Sequence, residues 1–361
     1  MRKIKKSRCM RCFLLLFWLA LPGLCRSAET NAASNAAIEE EELYFFYDTW
    51  NVIYNKEDLV REIPDSIRIA SYNLENFTDG YEDPPERTPK RLAAHVKGAA
   101  KIIAELDPDI IILQELENKY ALRLLNKALT NAYPLGYTTF FRHRWGEIDT
   151  LNIGVLSRIP LKDVRTIRFT KANGADRPIR GMLAFEVEVG PDDHRLLLYG
   201  IHLKSNYGND AANQRQRKRS LEILMTDMAA VASNAPGREY EVLVLGDTNV
   251  DPDNEQFKKD VSLKPLSSMS DLWRGRPLEE RITIPTRYGD PEMEFPPAAF
   301  DRIFVSKYLK KAPWVAGQAQ VLQKGCHTND SSVLPGDKGH VSDHYPVWVD
   351  IHRKKPSPAS K

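Results

Sequence analysis

Polar side chains that are costly to bury collect at the ends of the apolar runs of this sequence. They are four carboxylates, two amides and two imidazoles: Asn73, Glu115, His202, Asp247, Asn249, Asp301, Asp343 and His344. Each residue alone has an ordinary structural explanation, such as a turn or a solvated strand end. Strand ends in layered α/β folds, however, meet at one edge, where sites form. The repeated arrangement therefore predicts that these side chains share one site.

The composition of this set predicts metal-assisted hydrolysis. Oxygen ligands without thiolates suit a hard cation, Mg²⁺ first and Mn²⁺ or Ca²⁺ as alternatives. Imidazole titrates near neutral pH and can move protons during a reaction. Amide groups donate hydrogen bonds to an anion without adding charge. A cation, imidazoles beside carboxylates and amide donors together describe the attack of water on a phosphate ester.

Eight apolar runs rich in β-branched residues predict the strands that would carry this site. They lie at 67–74, 109–116, 151–157, 182–189, 195–203, 240–246, 300–306 and 345–351. Apolar residues at helical spacing predict helices over 88–106, 118–128 and 214–232. Two predicted strands often follow each other directly, which favours an α/β sandwich with mixed sheets over a strictly alternating parallel fold.

The N-terminus has the pattern of a signal peptide. Residues 1–28 hold seven basic residues and no acidic one, and the apolar run 13–21 is shorter than the ~20 residues that a membrane-spanning helix needs. We therefore expect cleavage and export, to the periplasm or the medium, with an uncleaved anchor as the alternative. Residues 29–66 are predicted to be a tether and an edge segment, 67–352 the main domain, and 353–361 a tail.

Charge and cysteine usage exclude several classes of protein. Without residues 1–28, the 51 Lys and Arg of the chain fall to 44, against 49 Asp and Glu. This slight excess of acidic residues excludes binding of nucleic acid by a positive charge spread over the whole surface. Only a local positive field at the site could attract nucleic acid. Cys326 is the only cysteine outside residues 1–28. The remaining chain therefore has neither an internal disulfide nor a cysteine-rich zinc site.

Seven segments carry a resemblance that covers about residues 67–352. In chain order they are SYNLENF (71–77), ILQELEN (112–118), IGVLSRIP (153–160), GIHLKSN (200–206), VLGDTNVDP (244–252), FDRIFVS (300–306) and SDHYPVWV (342–349). Together they resemble the endonuclease/exonuclease/phosphatase superfamily, which has the deoxyribonuclease I-like fold. The resemblance implies a four-layer α/β sandwich, in which two packed mixed β-sheets are flanked by helices.

The resemblance also implies metal ligands. Glu115 corresponds to the primary metal ligand of the superfamily. Asn73 would lie beside it as a contact to the phosphate or to the metal shell, and Asp343 would be a metal-side or hydrogen-bonding group.

The resemblance further implies how protons and charge would be handled. His344, oriented by Asp301, would take a proton from water. His202 or Asp247 would assist the leaving oxygen, and Asn249 would steady the non-bridging oxygens of the phosphate. The assignment of acid and base differs across the superfamily, so these roles stay loosely defined.

Further residues are candidates for substrate contacts. Lys204 and Asn206 come soon after the strand that ends in His202. Arg177 and Arg180 lie in the segment ADRPIRG (175–181), for which a role in the loop is the alternative. Arg215 belongs to a basic run that begins a helix, for which a solvated helix face is the alternative. Six histidines match no motif and are expected to be structural or to lie on the surface: His95, His143, His194, His327, His340 and His352.

The sequence thus predicts an exported, monomeric, Mg²⁺-dependent phosphoesterase that is not stably inserted in a membrane after signal cleavage. The first hypothesis for its activity is a nuclease that acts on DNA or RNA. Hydrolysis of a phospholipid or a small phosphate ester is one alternative, because one scaffold hosts all of these activities. The phospholipid alternative requires exposed apolar residues at the rim, for which only 295–300 qualifies. A non-catalytic binding protein with a vestigial site is the other alternative, which the complete set of site residues disfavours.

Overall fold

The computed structural model describes residues 46–51, 60–142, 151–169, 181–190, 194–235, 240–285, 297–310, 313–326, 330 and 332–354. All of them belong to one unit, which spans Leu43–Lys361. The predicted signal peptide, the candidates Arg177 and Arg180 and almost all of the C-terminal tail lie outside the described residues.

Two β-sheets form the centre of the fold. Their strands, in chain order, are β1 (Phe46–Asn51), β2 (Ser66–Phe77), β3 (Ile110–Leu116), β4 (Leu135–Arg142), β5 (Asn152–Ser157), β6 (Lys162–Ile167), β7 (Met182–Glu188), β8 (Arg195–His202), β9 (Tyr240–Asp247), β10 (Ser270–Asp271), β11 (Asp301–Val305), β12 (Trp314–Ala316), β13 (Gln320–Val321) and β14 (Val347–Arg353). All eight predicted strands are present, and their ends shift by no more than three residues.

Each sheet is mixed, with one parallel pair among the described strands. The first sheet has the order β1-β4-β5-β3-β2-β14-β12, with β13 also paired to β14, and β2 and β3 run parallel. The second sheet has the order β10-β11-β9-β8-β7-β6, and β8 and β9 run parallel. Because the carboxyl ends of parallel neighbours lie at the same edge, the polar residues that follow β2 and β3, or β8 and β9, come together.

The core between the two sheets explains why the central strands are apolar on both faces. Ile69, Ile112 and Val155 of the first sheet pack in one cluster with Leu198 and Leu245 of the second. These strands have a sheet on one side and a helix on the other, so they show continuous apolar runs and not alternation.

In the described part of the chain, three α-helices cover the outer faces of the sheets: α1 (Pro89–Leu106), α2 (Lys119–Ala128) and α3 (Asp210–Asn234). Helix α1 begins after Thr88, whose side chain accepts a hydrogen bond from the backbone of Arg91, and ends at Asp107 with a positive φ of 47°. Helices α1 and α2 pack on the first sheet, and α3 packs on the second. The predicted four-layer sandwich is therefore confirmed.

The sequence analysis missed several strands and placed the ends of one helix too far inward. The predicted third helix is longer at both ends, and β1, β4, β6 and the short strands were not predicted. Strand β6 is an edge strand whose residues are mostly exposed or half-buried, so it lacks an apolar pattern. Strand β1 lies within the predicted edge segment and pairs with β4 at the end of the first sheet. Among the described residues, no helix combines the length and apolar character that crossing a membrane requires.

Candidate active site

The strand register brings the predicted site residues to one edge. Asn73 pairs with Gln114 across the parallel β2–β3 ladder, directly before Glu115. In the second sheet Asp247 is the register partner of His202 on one side and of Asp301 on the other. Strand β14 runs antiparallel to β2, so the loop before it, which carries Asp343 and His344, also reaches this edge.

Gly246 allows β9 to come close enough to β8 for these contacts. Its φ is +140°, and a Cβ atom here would lie 2.0 Å from the carbonyl oxygen of Ile201. Only glycine accepts this conformation and this distance without strain. The next residue, Asp247, can therefore lie beside His202.

Asp247 is the centre of the site. Its Oδ2 lies 3.3 Å from Nε2 of His202 and accepts hydrogen bonds from the amides of Asn249, at 3.0 Å, and Asn73, at 3.2 Å. Its Oδ1 accepts the backbone N–H of Asn249 at 2.8 Å. Burial raises the pKa of Asp247, but the nearby imidazoles of His344 and His202 more than offset this and hold the pKa below its usual range.

His344 and Asp301 form a buried pair. Nδ1 of His344 lies 2.7 Å from Oδ2 of Asp301, which is fully buried. Nε2 of His344 lies 3.9 Å from Asp247 and 4.0 Å from Oδ1 of Asp343. Burial lowers the pKa of His344, but Asp301, Asp343 and Asp247 raise it well above the ordinary value. The surrounding carboxylates therefore favour the protonated form of the imidazole.

Glu115 and Asp343 are the carboxylates at the open side of the site. Their side chains are 17% and 15% exposed, whereas that of Asp247 is 2% exposed. Oε1 of Glu115 accepts a hydrogen bond from Asn73 at 3.2 Å and lies 3.7 Å from Nε2 of His202, and Oε2 accepts the backbone N–H of Asn76 at 2.8 Å. Both carboxylates can thus face a molecule that arrives from solvent.

The structure therefore brings together all eight residues of the predicted set. Non-glycine residues with positive φ gather at the same edge, namely Glu75, Asn76, Glu115 and Asn249. Such backbone strain costs about 1–3 kcal/mol per residue and is typical of functional sites. The chemical roles of the eight residues stay predictions.

The candidate substrate contacts have different surroundings. Nζ of Lys204 donates to the carbonyl oxygens of Ser205, at 3.2 Å, and Tyr207, at 3.1 Å, within its own loop. The amide of Asn206 donates to the carbonyl of Asn249 at 2.9 Å. Arg215 is exposed on α3. Lys204 and Asn206 thus shape the loop beside the site.

A buried arginine that the sequence analysis missed supports this loop. Nη1 of Arg217 donates to the carbonyl of Lys204 at 2.9 Å and to Oδ1 of Asn206 at 3.2 Å, and Nη2 donates to Oδ2 of Asp260 at 2.7 Å. Through Asn206, Arg217 ties the loop after His202 to Asn249. Its position four residues after the buried Asn213 is the helical signal that could have identified it.

A second buried network lies behind Asp247 and Asp301. Asp251 is fully buried and accepts hydrogen bonds from Arg281, at 2.5 Å, and Arg302, at 3.2 Å. It also accepts the backbone N–H of Ala299 at 3.1 Å. These bonds fix the segments that follow Asp247 and precede Asp301.

A group of three carboxylates lies beyond Glu115. Oxygen atoms of Asp79, Asp83 and Glu117 lie within 4.8 Å of one another, and they form the one such group found in the described part of the chain. Burial raises the pKa of Glu117 to about 7. The side chains of Thr78 and Asn118 donate hydrogen bonds to Asp83 and Asp79, respectively. This group does not coincide with the predicted ligands Glu115, Asn73 and Asp343.

Comparisons with known proteins agree with this architecture. The sequence model of the Endonuclease/Exonuclease/phosphatase family matches residues 70–344. No curated protein sequence matches the chain significantly.

Solved structures share the fold at low sequence identity. TDP2 from D. rerio, complexed with single strand DNA product, has a TM-score of 0.53 and 20% identity over 80% of this chain and 100% of that chain. A mannosyl-6-phosphatase from Bacteroides thetaiotaomicron VPI-5482 has a TM-score of 0.51 and 18% identity over 79% of this chain and 99% of that chain.

Proposed function

Because the chain belongs to the endonuclease/exonuclease/phosphatase family and is a phosphoesterase of that superfamily, we propose that it hydrolyses phosphodiester bonds of nucleic acid with a bound divalent cation. One observation carries the proposal. Asp247 contacts His202, Asn249 and Asn73 at hydrogen-bond distance, with His344 just beyond. Proton carriers, hydrogen-bond donors and carboxylates thus converge where a phosphate ester could enter.

The donors at the open side fit a hard cation. Glu115 and Asp343 offer partly exposed carboxylate oxygens, and the eight site residues include no thiol. Mg²⁺ prefers such ligands, and Mn²⁺ or Ca²⁺ could replace it. We propose that Glu115 and Asp343 hold the cation, with the amide of Asn73 beside it. When bound, the cation supplies positive charge that stabilises the phosphate oxygens and offsets the neighbouring carboxylates.

His344 is the proposed proton carrier for the water nucleophile. Asp301 holds Nδ1 at 2.7 Å, so that Nε2 points toward Asp247 and the open site. A base role requires Nε2 to lose its proton, which becomes easier once the surrounding carboxylates are neutralised. His202, whose Nε2 lies 3.3 Å from Oδ2 of Asp247, is the proposed proton donor to the leaving oxygen.

The amides of Asn249 and Asn73 are the proposed donors to the non-bridging oxygens. In the structure both amides bind Asp247. Removing one donor of this kind lowers kcat by roughly 10²–10³-fold. Asn249→Ala is therefore expected to lose activity in that range while the protein stays folded.

Nucleic acid is the first proposed substrate, and a sugar phosphate is the second. TDP2 from D. rerio is described in complex with a single strand DNA product, and a relative of similar fold is a mannosyl-6-phosphatase. The phospholipid alternative loses its structural support, because Ala298, Ala299 and Phe300 of the candidate apolar rim are buried. Residues 295 and 296 lie outside the described part.

A substrate panel with a site variant tests the proposal. Single- and double-stranded DNA, RNA, bis(p-nitrophenyl) phosphate, p-nitrophenyl phosphate, mannose 6-phosphate and phospholipid vesicles are assayed with Mg²⁺ or with EDTA. We expect Mg²⁺-dependent hydrolysis of nucleic acid and of the model diester. His344→Ala should abolish turnover, whereas His352→Ala should not, because His352 lies at the other end of β14.

Three results would contradict the proposal. Undiminished hydrolysis by metal-loaded His344→Ala would overturn the assignment of the site. Absence of metal-dependent turnover on every ester would favour the binding-protein alternative, and hydrolysis confined to mannose 6-phosphate would favour the second substrate.

Export and a monomeric state are also proposed. The basic segment and the apolar run within residues 1–28 support export. N-terminal sequencing of the protein recovered outside the cytosol should show that residues 1–28 are missing. Light scattering should give the mass of one chain, and a full-length, cell-bound product would contradict cleavage.

A further inference from the structure

A buried hydrogen-bonded pair lies behind Asp343 and His344. His340 is 2% exposed and Glu75 is 8% exposed. Nε2 of His340 lies 2.8 Å from Oε2 of Glu75, and the same oxygen accepts the backbone N–H of Asp343 at 2.8 Å. One carboxylate oxygen thus joins His340 to the loop that carries the proposed cation ligand Asp343 and the proton carrier His344.

Glu75 is held in a strained conformation for this contact. Its φ is +50°, and its backbone N–H donates to Oδ1 of Asn73 at 3.0 Å. A glutamate adopts a positive φ only when its surroundings hold it there. Glu75 therefore connects a residue at the end of β2, Asn73, to the loop before β14.

His340 is itself fixed by the backbone on both sides. Its N–H donates to the carbonyl of Asp337 at 2.7 Å, and its carbonyl accepts the N–H of Gly336 at 2.7 Å. Arg91 of α1 binds the side chain of Asp337 at 2.6 Å. These bonds fix the backbone of His340, so its imidazole can keep a constant position against Glu75.

We infer that His340 is a positioning residue, which holds Glu75 against the backbone of Asp343 and so fixes Asp343 and His344 for the reaction. The inference rests on the proposed hydrolysis of phosphodiester bonds, and it explains how the positions of Asp343 and His344 are maintained. His340 acts on this loop through Glu75, the carboxylate that its Nε2 contacts, and its imidazole also contacts the side chain of Cys326.

The chain contains a matched control for this role. Nε2 of His194 lies 3.0 Å from Oε2 of Glu241, and both residues are buried. These residues lie at the start of β8 and β9, at the edge of the second sheet opposite His202 and Asp247. His194→Ala therefore removes a buried contact between an imidazole and a carboxylate far from the site.

The experiment compares His340→Ala, His340→Gln and His194→Ala. In His340→Gln, the side-chain amide can donate to Glu75 from nearly the position of Nε2, whereas the alanine variant has no such donor. For each variant, kcat and KM are measured on bis(p-nitrophenyl) phosphate with Mg²⁺. Hydrogen exchange is measured on peptides that contain the Asp343 amide, and thermal unfolding gives the stability.

We expect His340→Ala to lower kcat by about 10²-fold with little change in KM, because misplacing reactive groups by about 1 Å costs that much. Exchange of the Asp343 amide should become at least tenfold faster. His340→Gln should recover most of kcat and of the protection. His194→Ala should lower the Tm without changing kcat or the Asp343 amide.

Two results would overturn the inference. One is a His340→Ala protein that retains the wild-type kcat and Asp343 exchange. The other is a loss of kcat in His194→Ala as large as that in His340→Ala, since it would indicate a general effect of stability. If the wild-type protein hydrolysed no ester, the proposed function would fail, while the exchange data would still test the contact between His340, Glu75 and Asp343.

Discussion

Replacing Gly246 with alanine tests whether close approach of β8 and β9 creates the site. The new Cβ would lie 2.0 Å from the carbonyl oxygen of Ile201, about 1 Å nearer than any normal contact, and the obstacle is backbone that cannot rotate away. The two strands must therefore separate by about 1 Å at the register pair of His202 and Asp247. The 3.3 Å contact between these side chains would be lost.

The expected cost has two parts. Overpacking contributes about 1–3 kcal/mol to the loss of folding stability, and the φ of +140° contributes about 1–3 kcal/mol more. A displacement of about 1 Å at Asp247 should lower kcat by about 10²-fold. Urea unfolding measures the first effect, and the Mg²⁺-dependent hydrolysis of bis(p-nitrophenyl) phosphate, per folded molecule, measures the second.

Gly275→Ala is the matched control. Gly275 also has a positive φ, +78°, but no atom lies within 4 Å of the place that the alanine methyl would occupy. It should therefore show only the backbone cost of about 1–2 kcal/mol and full activity. If Gly246→Ala matched Gly275→Ala in both stability and kcat, the close approach of the strands would not be what builds the site.

Three further outcomes are expected. Arg217→Met should lower the free energy of unfolding by about 3–5 kcal/mol in urea titrations, because it leaves the buried Asp260 without its cation; a loss under 1 kcal/mol would contradict this. Burial lowers the pKa of His95 to about 3, so the unfolded chain takes up a proton below pH 6.5 before the folded protein does. Stability should be complete above pH 6.5 and fall by about 2 kcal/mol at pH 5, and His95→Gln should not show this fall. Binding of single-stranded DNA to the cation-loaded protein should weaken only gently with salt, with a logarithmic slope of about −1.4 for two phosphate contacts; a slope several times steeper would indicate an extended basic face.

The site residues could be predicted from the sequence because each lies at or near an end of an apolar run. A carboxylate such as Asp247, directly after the apolar run 240–246, is costly to bury at a strand end unless other side chains bind it there. The parallel pairs β2–β3 and β8–β9 then bring the strand ends that carry these residues to the same edge. The mixed α/β class and the members of the site thus followed from patterns that are local in the sequence, whereas the four-layer arrangement followed from the family resemblance.

The supporting contacts could not be predicted in the same way. Which arginine of the basic run is buried depends on the rotation of α3 against the loop after β8, and the structure buries Arg217 and exposes Arg215. His340 lies in an irregular loop, where no periodicity reveals which way a side chain points. Its partner Glu75 is 265 residues away in the chain, so only the folded structure connects them.

The charges of the site support the proposed binding of a cation, as the chemistry of its ligands does. Asp247 is buried among imidazoles and amides, and Asp301 is buried against the imidazole of His344, whereas Glu115 and Asp343 remain partly exposed. An approaching phosphate would meet these last two carboxylates first, and like charges a few ångströms apart repel strongly away from bulk water. The proposed divalent cation between Glu115 and Asp343 would place two positive charges at this entrance, so the arrangement of the charges supports the proposed dependence on a cation.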